Sequence, residues 1–177
     1  MESISWGLVL RSICILLVSL LALASCGPPP SSYGSDGQSG QKVYRIRSGD
    51  ESQVQFRMLD SVNSLRQAAG AQPVQLDSKL NAAAATHARD MSLQNRPWHF
   101  GSDGSSPIDR VRRVGYNGAL VGETISETYE TETETLAAWM NDPATRNVIL
   151  DPSARNMGFA WEQERNGKLW WTLVMGS

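Results

Sequence analysis

His99 and Glu123, 24 positions apart, are the side chains of this chain best suited to do chemistry. An imidazole and a carboxylate that converge in a cleft can share a proton, hold a cation or polarise a bound ligand. Gly122 and Thr124 flank the carboxylate, and Trp139 follows 15 positions after Thr124. The other histidine, His87, falls on an apolar stripe with Leu80, Ala84 and Met91, so it reads as a hydrogen-bonded core residue. Glu127, Glu130, Glu132 and Glu134 lack the glycine-centred loop of a calcium hand and read as solvated acids near a helix amino terminus. The hydroxyls between Ser102 and Ser106 come without a G-x-S-x-G elbow, which argues against a serine nucleophile.

The elements that must position these groups are legible from periodicity. Val54, Met58, Val62 and Leu65 recur at helical spacing from about Asp50, and Gly70 with Pro73 ends that helix. Asp77 is an N-cap for a second helix carrying His87. A loop with Pro97, Trp98 and His99 leads to Ser106-Pro107-Ile108-Asp109, which opens a short helix running to Val114. Ala119 to Ile125 reads as a strand. Thr131 and Glu134 form a capping box for a helix through Leu136, Trp139 and Met140, stopped by Asp142-Pro143. Met157 to Gln163 and Lys168 to Met175 read as strands joined at Asn166-Gly167, with Trp139 and alternate hairpin residues in the core and one or two of Trp98, Trp161, Trp170 and Trp171 at a cleft rim. This order predicts an α+β domain with a small, largely antiparallel sheet flanked by helices.

Length and charge narrow the class. The chain has 177 residues, enough for one ordinary core plus an appendage, and its net charge of -2 argues against nucleic acid as a partner. Residues 1–25 read as an export signal, with Arg11 ahead of an apolar run from Ser12 to Ala24 that is short for a bilayer span; an uncleaved anchor is the alternative. Residues 26–48 read as a tether, Pro-, Gly- and Ser-rich through Gln41, whose first 15 residues after Cys26 reach roughly 20 to 25 Å. The third segment, 49–177, is the globular part, and it contains no cysteine.

Leu23-Ala24-Ser25-Cys26 resembles a bacterial lipobox, which implies lipidation of Cys26 and a membrane partner reached through that lipid. Two or three acyl chains anchor stably where one does not. Gly27 after the cysteine implies the outer membrane, facing the periplasm, if the cell is Gram-negative.

The segment from Asn63 to Met175 resembles a bacterial CAP (SCP-type) domain. The resemblance rests on Asn63 to Arg66, Ala69-Gly70, Pro73, Asp77, Leu80, Ala83-Ala84, His87 to Met91, Trp98-His99, Gly101 to Gly104, Arg110, Gly115-Tyr116, Gly122-Glu123, Trp139 to Asn141, Arg146 to Leu150, Gly158 and Trp170-Trp171. It implies a three-layer α-β-α sandwich. It also implies a cleft tetrad of two histidines and two acids able to bind zinc or another divalent ion. The first histidine of that tetrad falls on His99, the first acid on Glu123, the second acid on or near Asp142, and the second histidine on Thr145, whose hydroxyl binds divalent transition metals poorly. Thr124 stands where the family usually has Asn. These departures predict a degenerate cleft of His99, Glu123, Asp142 and Thr145, no required cofactor, and at most a weakly held zinc ion on His99 and Glu123. The functional expectation is a binding module anchored at the bacterial cell envelope, engaging a lipid, glycan or envelope-protein partner. The alternative is a metal-assisted hydrolase in which a cation on His99 and Glu123 activates water.

Overall fold

The computed structural model describes residues 43–128 and 130–177. The segments read as an export signal and as a lipobox at Cys26, and most of the segment read as a tether, lie outside these residues. Among the described residues, five helices and four strands follow one another in the order α1 (Glu51–Ala68), β1 (Gln75–Leu76), α2 (Ser78–Gln94), α3 (Pro107–Arg113), β2 (Leu120–Thr128), α4 (Glu132–Asn141), α5 (Pro143–Leu150), β3 (Asn156–Gln163) and β4 (Leu169–Gly176).

Local chemistry sets most of these boundaries. Asp77 accepts from the amides of Lys79 and Leu80 at the start of α2, and Asn95 ends it in the left-handed region at φ 49°. Ser106 with Asp109 and Thr131 with Glu134 form the two capping boxes. α4 stops at Asp142-Pro143 as expected, and α5, which the sequence reading does not foresee, begins there. Asp142 does end α4, but its carboxylate accepts from the Ala144 amide and Pro143 supplies the first turn of a new helix.

The sheet order is β1-β3-β4-β2. β4 pairs antiparallel with both β3 and β2, whereas β1 pairs parallel with β3 through Gln75 with Asn156 and Leu76 with Met157. The sheet is therefore largely antiparallel, as the order of elements predicts, with the short β1 adding one parallel pairing that the sequence reading does not foresee. A strand of two residues has no alternation to read in sequence.

Three layers result. Val54, Met58 and Val62 of α1, Leu136 and Trp139 of α4 and Ile149 of α5 cover one face of the sheet with Met157, Phe159, Leu169, Trp171, Leu173 and Met175. On the opposite face Leu80, Ala83 and Ala84 of α2 and Val111 of α3 meet Ala160 and Val174. That second interface is built from small residues, and α2 lies very close. A Cβ added at Gly158 would stand 2.1 Å from the Leu80 carbonyl carbon and 2.3 Å from the Asn81 nitrogen. Both Trp170 and Trp171 are fully buried, where alternation predicted one of them inside. β4 is an inner strand buried along its whole length beneath helices on both faces, so neither parity reaches solvent.

Two further features tie the layers together. Arg66, fully buried, donates to the carbonyls of Gln72, Ile149, Asp151 and Ala154, joining the end of α1 to the turn between α5 and β3. Residues 43–48, assigned to the tether from composition, lie along the domain. The Tyr44 hydroxyl donates to Glu132 at 2.9 Å, and Gln163 bonds both the Ile46 amide and the Tyr44 carbonyl. Glu132, read as a solvated acid, is thus buried and also paired with Arg57 at 2.6 Å.

Candidate functional site

Pleat alternation decides which way the central carboxylate faces. Glu123 sits opposite Val174, whose side chain belongs to the α2–α3 face, so Glu123 points into that layer. Its neighbour Gly122 faces the other way, where an added Cβ would meet the Val148 methyls of α5 at 2.7 Å. Three side chains from three elements converge on Glu123. His99, from the loop after α2, brings Nδ1 to 2.9 Å from Oε1. Arg110 of α3 places Nη2 at 2.9 Å from Oε1 and 2.8 Å from Oε2. His87 of α2 brings Nε2 to 3.7 Å from Oε1.

Arg110 is also what positions the loop. Its Nη1 donates to the carbonyls of His99 and Ser105 at 3.1 and 3.0 Å. The loop is secured at its start by the left-handed Asn95, by the Trp98 indole donating to Gln94, and by the Arg96 guanidinium stacked 3.8 Å over the Trp98 ring. Side-chain exposure then divides the set. Glu123 is 2% exposed, Arg110 4% and His87 0%, while His99 is 49% exposed. Three members are interior and one faces solvent.

The electrostatics follow from this burial. For Glu123, burial alone pushes the carboxyl pKa up, but the hydrogen bond from His99 and the charge of Arg110 more than offset it and hold the group below its ordinary range. For His87, burial pushes the pKa down, the Glu123 charge opposes this, and the Arg110 charge adds to it. The net direction is downward. His87 is therefore neutral at pH 7, and its 3.7 Å approach to Glu123 is not an ion pair. Its Nε2 lies 2.9 Å from the Trp98 carbonyl, which can only accept, so Nε2 carries the proton. Nδ1 is then a buried lone pair with no partner among the described residues. The Nε of Arg110 is likewise buried without one.

A divalent ion does not fit this donor set. Both oxygens of Glu123 already carry the guanidinium, the nearest imidazole nitrogen of His99 is directed at the same carboxylate, and no group of three or more His, Cys, Asp and Glu among the described residues is disposed to hold a metal. Asp142 and Thr145 are not brought to Glu123. Asp142 caps α5, and the Thr145 hydroxyl donates to the Trp139 carbonyl at 2.5 Å, in the layer on the far face of the sheet. The hydroxyls of Ser102 and Ser106 bond to Asp90 and Asp109 and not to a histidine. Beside the site lies an open cavity of about 270 Å³, lined by Arg89, Asp90, Leu93, Asp103 and Arg113 and sharing Arg110 with it.

This geometry can be compared with known proteins. The CAP profile, described as the cysteine-rich secretory protein family, matches residues 59–175. The chain belongs to the CAP family. A CAP relative in Bacillus subtilis, the uncharacterised protein YkwD, is 28% identical over 120 residues, covering 68% of this chain and 46% of its own length. The chain thus spans about half of that curated relative. Among solved structures, an outer surface protein of Borrelia burgdorferi superposes with a TM-score of 0.67 at 15% identity, covering 76% of this chain and 97% of its own. An extracellular protein with an SCP domain from Bacillus anthracis gives 0.65 at 18% identity, covering 76% and 45%. These likenesses share the fold.

Within this CAP domain, sequence reasoning found the His99–Glu123 pair and missed the roles of Arg110 and His87. Each carried a signal. Arg110 precedes the apolar Val111 on a seven-residue helix, where a buried arginine demands a carboxylate or carbonyl partner. His87 does occupy the core as expected, but α2 lies so close to the sheet that the same core position adjoins Glu123.

Proposed function

We propose that this CAP domain is a binding module held at a bacterial envelope, taking a lipid, glycan or protein partner at the His99 side of its cleft. The observation that carries this reading is the occupation of both Glu123 oxygens by Arg110, which leaves the half-exposed imidazole of His99 as the solvent-facing member of the set. Such an arrangement suits recognition, because a fixed carboxylate orients the imidazole for a ligand without offering a free base or an open metal position. Metal-assisted hydrolysis needs an open coordination position and finds none supported here. Support for the location comes from the resemblance of Leu23 to Cys26 to a lipobox and from structural relatives described as outer surface and extracellular proteins.

Mass spectrometry of small molecules and peptides that copurify with the full chain from native envelope tests this. The expected result is a reproducible ligand on the wild type that is depleted at least tenfold with His99→Ala. Equal retention by both, or hydrolytic turnover dependent on added metal, overturns the reading.

A further inference from the structure

We infer that the cavity walled by α2, α3 and the loop between them is a binding site for the carboxylate of an acidic sugar, with Arg89 as the side chain that recognises it. The inference rests on the reading of this domain as a binding module and narrows its partner to a glycan that carries uronic acid groups. The cavity adjoins the cleft through Arg110, whose Nη1 holds the His99 carbonyl.

Size and lining set the class of ligand. At about 270 Å³ the cavity is smaller than the roughly 300 to 1,000 Å³ of pockets that enclose drug-sized molecules, so it takes a single ring and not an acyl chain. Leu93 is the one apolar side chain among the described residues that line it, which leaves little to hold a hydrophobic group. The polar groups divide into those already engaged and those still open. Asp103 accepts from Arg113 Nη1 and from the Ser105 amide, each at 2.9 Å. Asp90 accepts from the Ser102 amide and hydroxyl, each at 2.6 Å, and from Gln94 at 2.9 Å. Thr86 gives its proton to the Ala82 carbonyl. The hydroxyls of Ser102 and Thr86 have therefore spent their protons and can only accept from a ligand.

The open donors are guanidinium N–H groups. Arg89 lines the cavity with no hydrogen-bond or ion-pair partner among the described residues. Arg110, 4% exposed, forms a buried part of the wall and keeps its Nε without a partner while both of its Nη atoms are fixed. An unpaired buried N–H is costly, and an acceptor entering from the cavity recovers that cost. Guanidinium groups with donors to spare around one small space call for a planar anion, because their fork matches a carboxylate in bidentate geometry. Charge balance limits that anion to a single charge. Arg110 is paired with Glu123 and Arg113 with Asp103, which leaves Arg89 as the cation to be matched, and Asp90 and Asp103 in the wall resist a second negative charge such as a phosphate dianion brings. Ligand hydroxyls beside the carboxylate meet the lone pairs of Ser102 and Thr86. A hydroxylated ring bearing one carboxylate answers both sets of groups.

The test is an NMR titration of the full chain at pH 7 and low salt with sodium glucuronate, glucose, glucose 6-phosphate and sodium acetate, for the wild type and Arg89→Gln. Arg89 is exposed and unpaired, so its substitution leaves the fold intact, as unchanged amide signals elsewhere in the domain verify. Glucuronate is expected to bind the wild type saturably in the millimolar range, to move the amides of Arg89, Asp90, Ser102 and Ser105, and to weaken as sodium chloride is raised. Arg89→Gln is expected to lose at least tenfold of that affinity, and the other three probes to bind the wild type at least tenfold more weakly than glucuronate. No saturable shift at those amides, or equal binding by Arg89→Gln, overturns the inference. So does glucose or acetate binding as well as glucuronate, which denies recognition of the carboxylate or of the ring, and so does tighter binding of glucose 6-phosphate. None of these results touches the binding-module reading, which stands or falls on the copurifying ligand and its loss with His99→Ala. A copurifying ligand that lacks a carboxylate contradicts the inference and leaves that reading in place.

Discussion

At the residue scale the behaviour of this site is governed by two buried groups with opposite tasks. Glu123 is held ionised by Arg110 and His99, and His87 is held neutral by its burial. Both pKa values are depressed in the folded chain, so for both the unfolded chain binds protons more readily and stability rises with pH. The windows differ. The contribution of His87 is complete above its unfolded value of about 6.5 and drains as pH falls below that value toward the lower folded one, with a slope of at most about 1.4 kcal/mol per pH unit. That of Glu123 is complete above about 4.3 and is lost below it. Thermal melts from pH 7 down to 3 should therefore show two declines, and His87→Gln should remove the upper one while leaving the lower. A single decline unchanged by that substitution contradicts the assignment. Glu123→Gln should cost about 3 to 5 kcal/mol in denaturant unfolding at pH 7, because it leaves the Arg110 charge buried and uncompensated. Legibility at this scale was partial. The His99–Glu123 contact followed from spacing and resemblance, but Arg110 lies 11 residues from one partner and 13 from the other, and nothing local in the chain announces a three-way junction.

At the element scale, the site depends on how closely α2 approaches the sheet. Gly158→Ala should be costly because its Cβ would meet backbone atoms of Leu80 and Asn81, which cannot rotate away as a side chain can. We expect a loss of about 2 to 3 kcal/mol, with histidine resonances of His87 and His99 shifted as α2 is displaced. Wild-type stability in this variant contradicts the packing. Asp142→Ala tests the junction between α4 and α5 and should lose about 1 kcal/mol, the ordinary worth of an N-cap, with no effect on the cleft. An altered His99 environment in that variant would contradict the placement of Asp142 in the far layer. Capping boxes, the Asn166-Gly167 turn and the helical stripes were readable because each is written in residues three or four apart. β1 and α5 were not. Two residues of strand carry no period, and a proline after an N-capping aspartate looks the same whether it ends one helix or begins the next.

At the scale of the whole molecule, an envelope-anchored module requires that the chain be lipidated at Cys26. Labelling with an alkyne analogue of palmitate should mark the wild type in its native host and leave Cys26→Ser unmarked and released to the soluble fraction, whereas equal labelling of both contradicts the lipobox reading. The three-layer architecture was legible because the order of elements and the resemblance agreed, while the covering of β4 on both faces, which buries Trp170 and Trp171 together, emerges only once strand order is known. Arg110 and Glu123 join a helix of one layer to a strand of the sheet, so their pairing is felt in the unfolding of the entire domain. A double-mutant cycle on Arg110→Gln and Glu123→Gln, read by denaturant unfolding at pH 7, measures it most directly. A coupling of about 2 to 3 kcal/mol, the double variant losing that much less than the sum of the two single losses, is the predicted result. Single-variant losses that simply add would contradict the account.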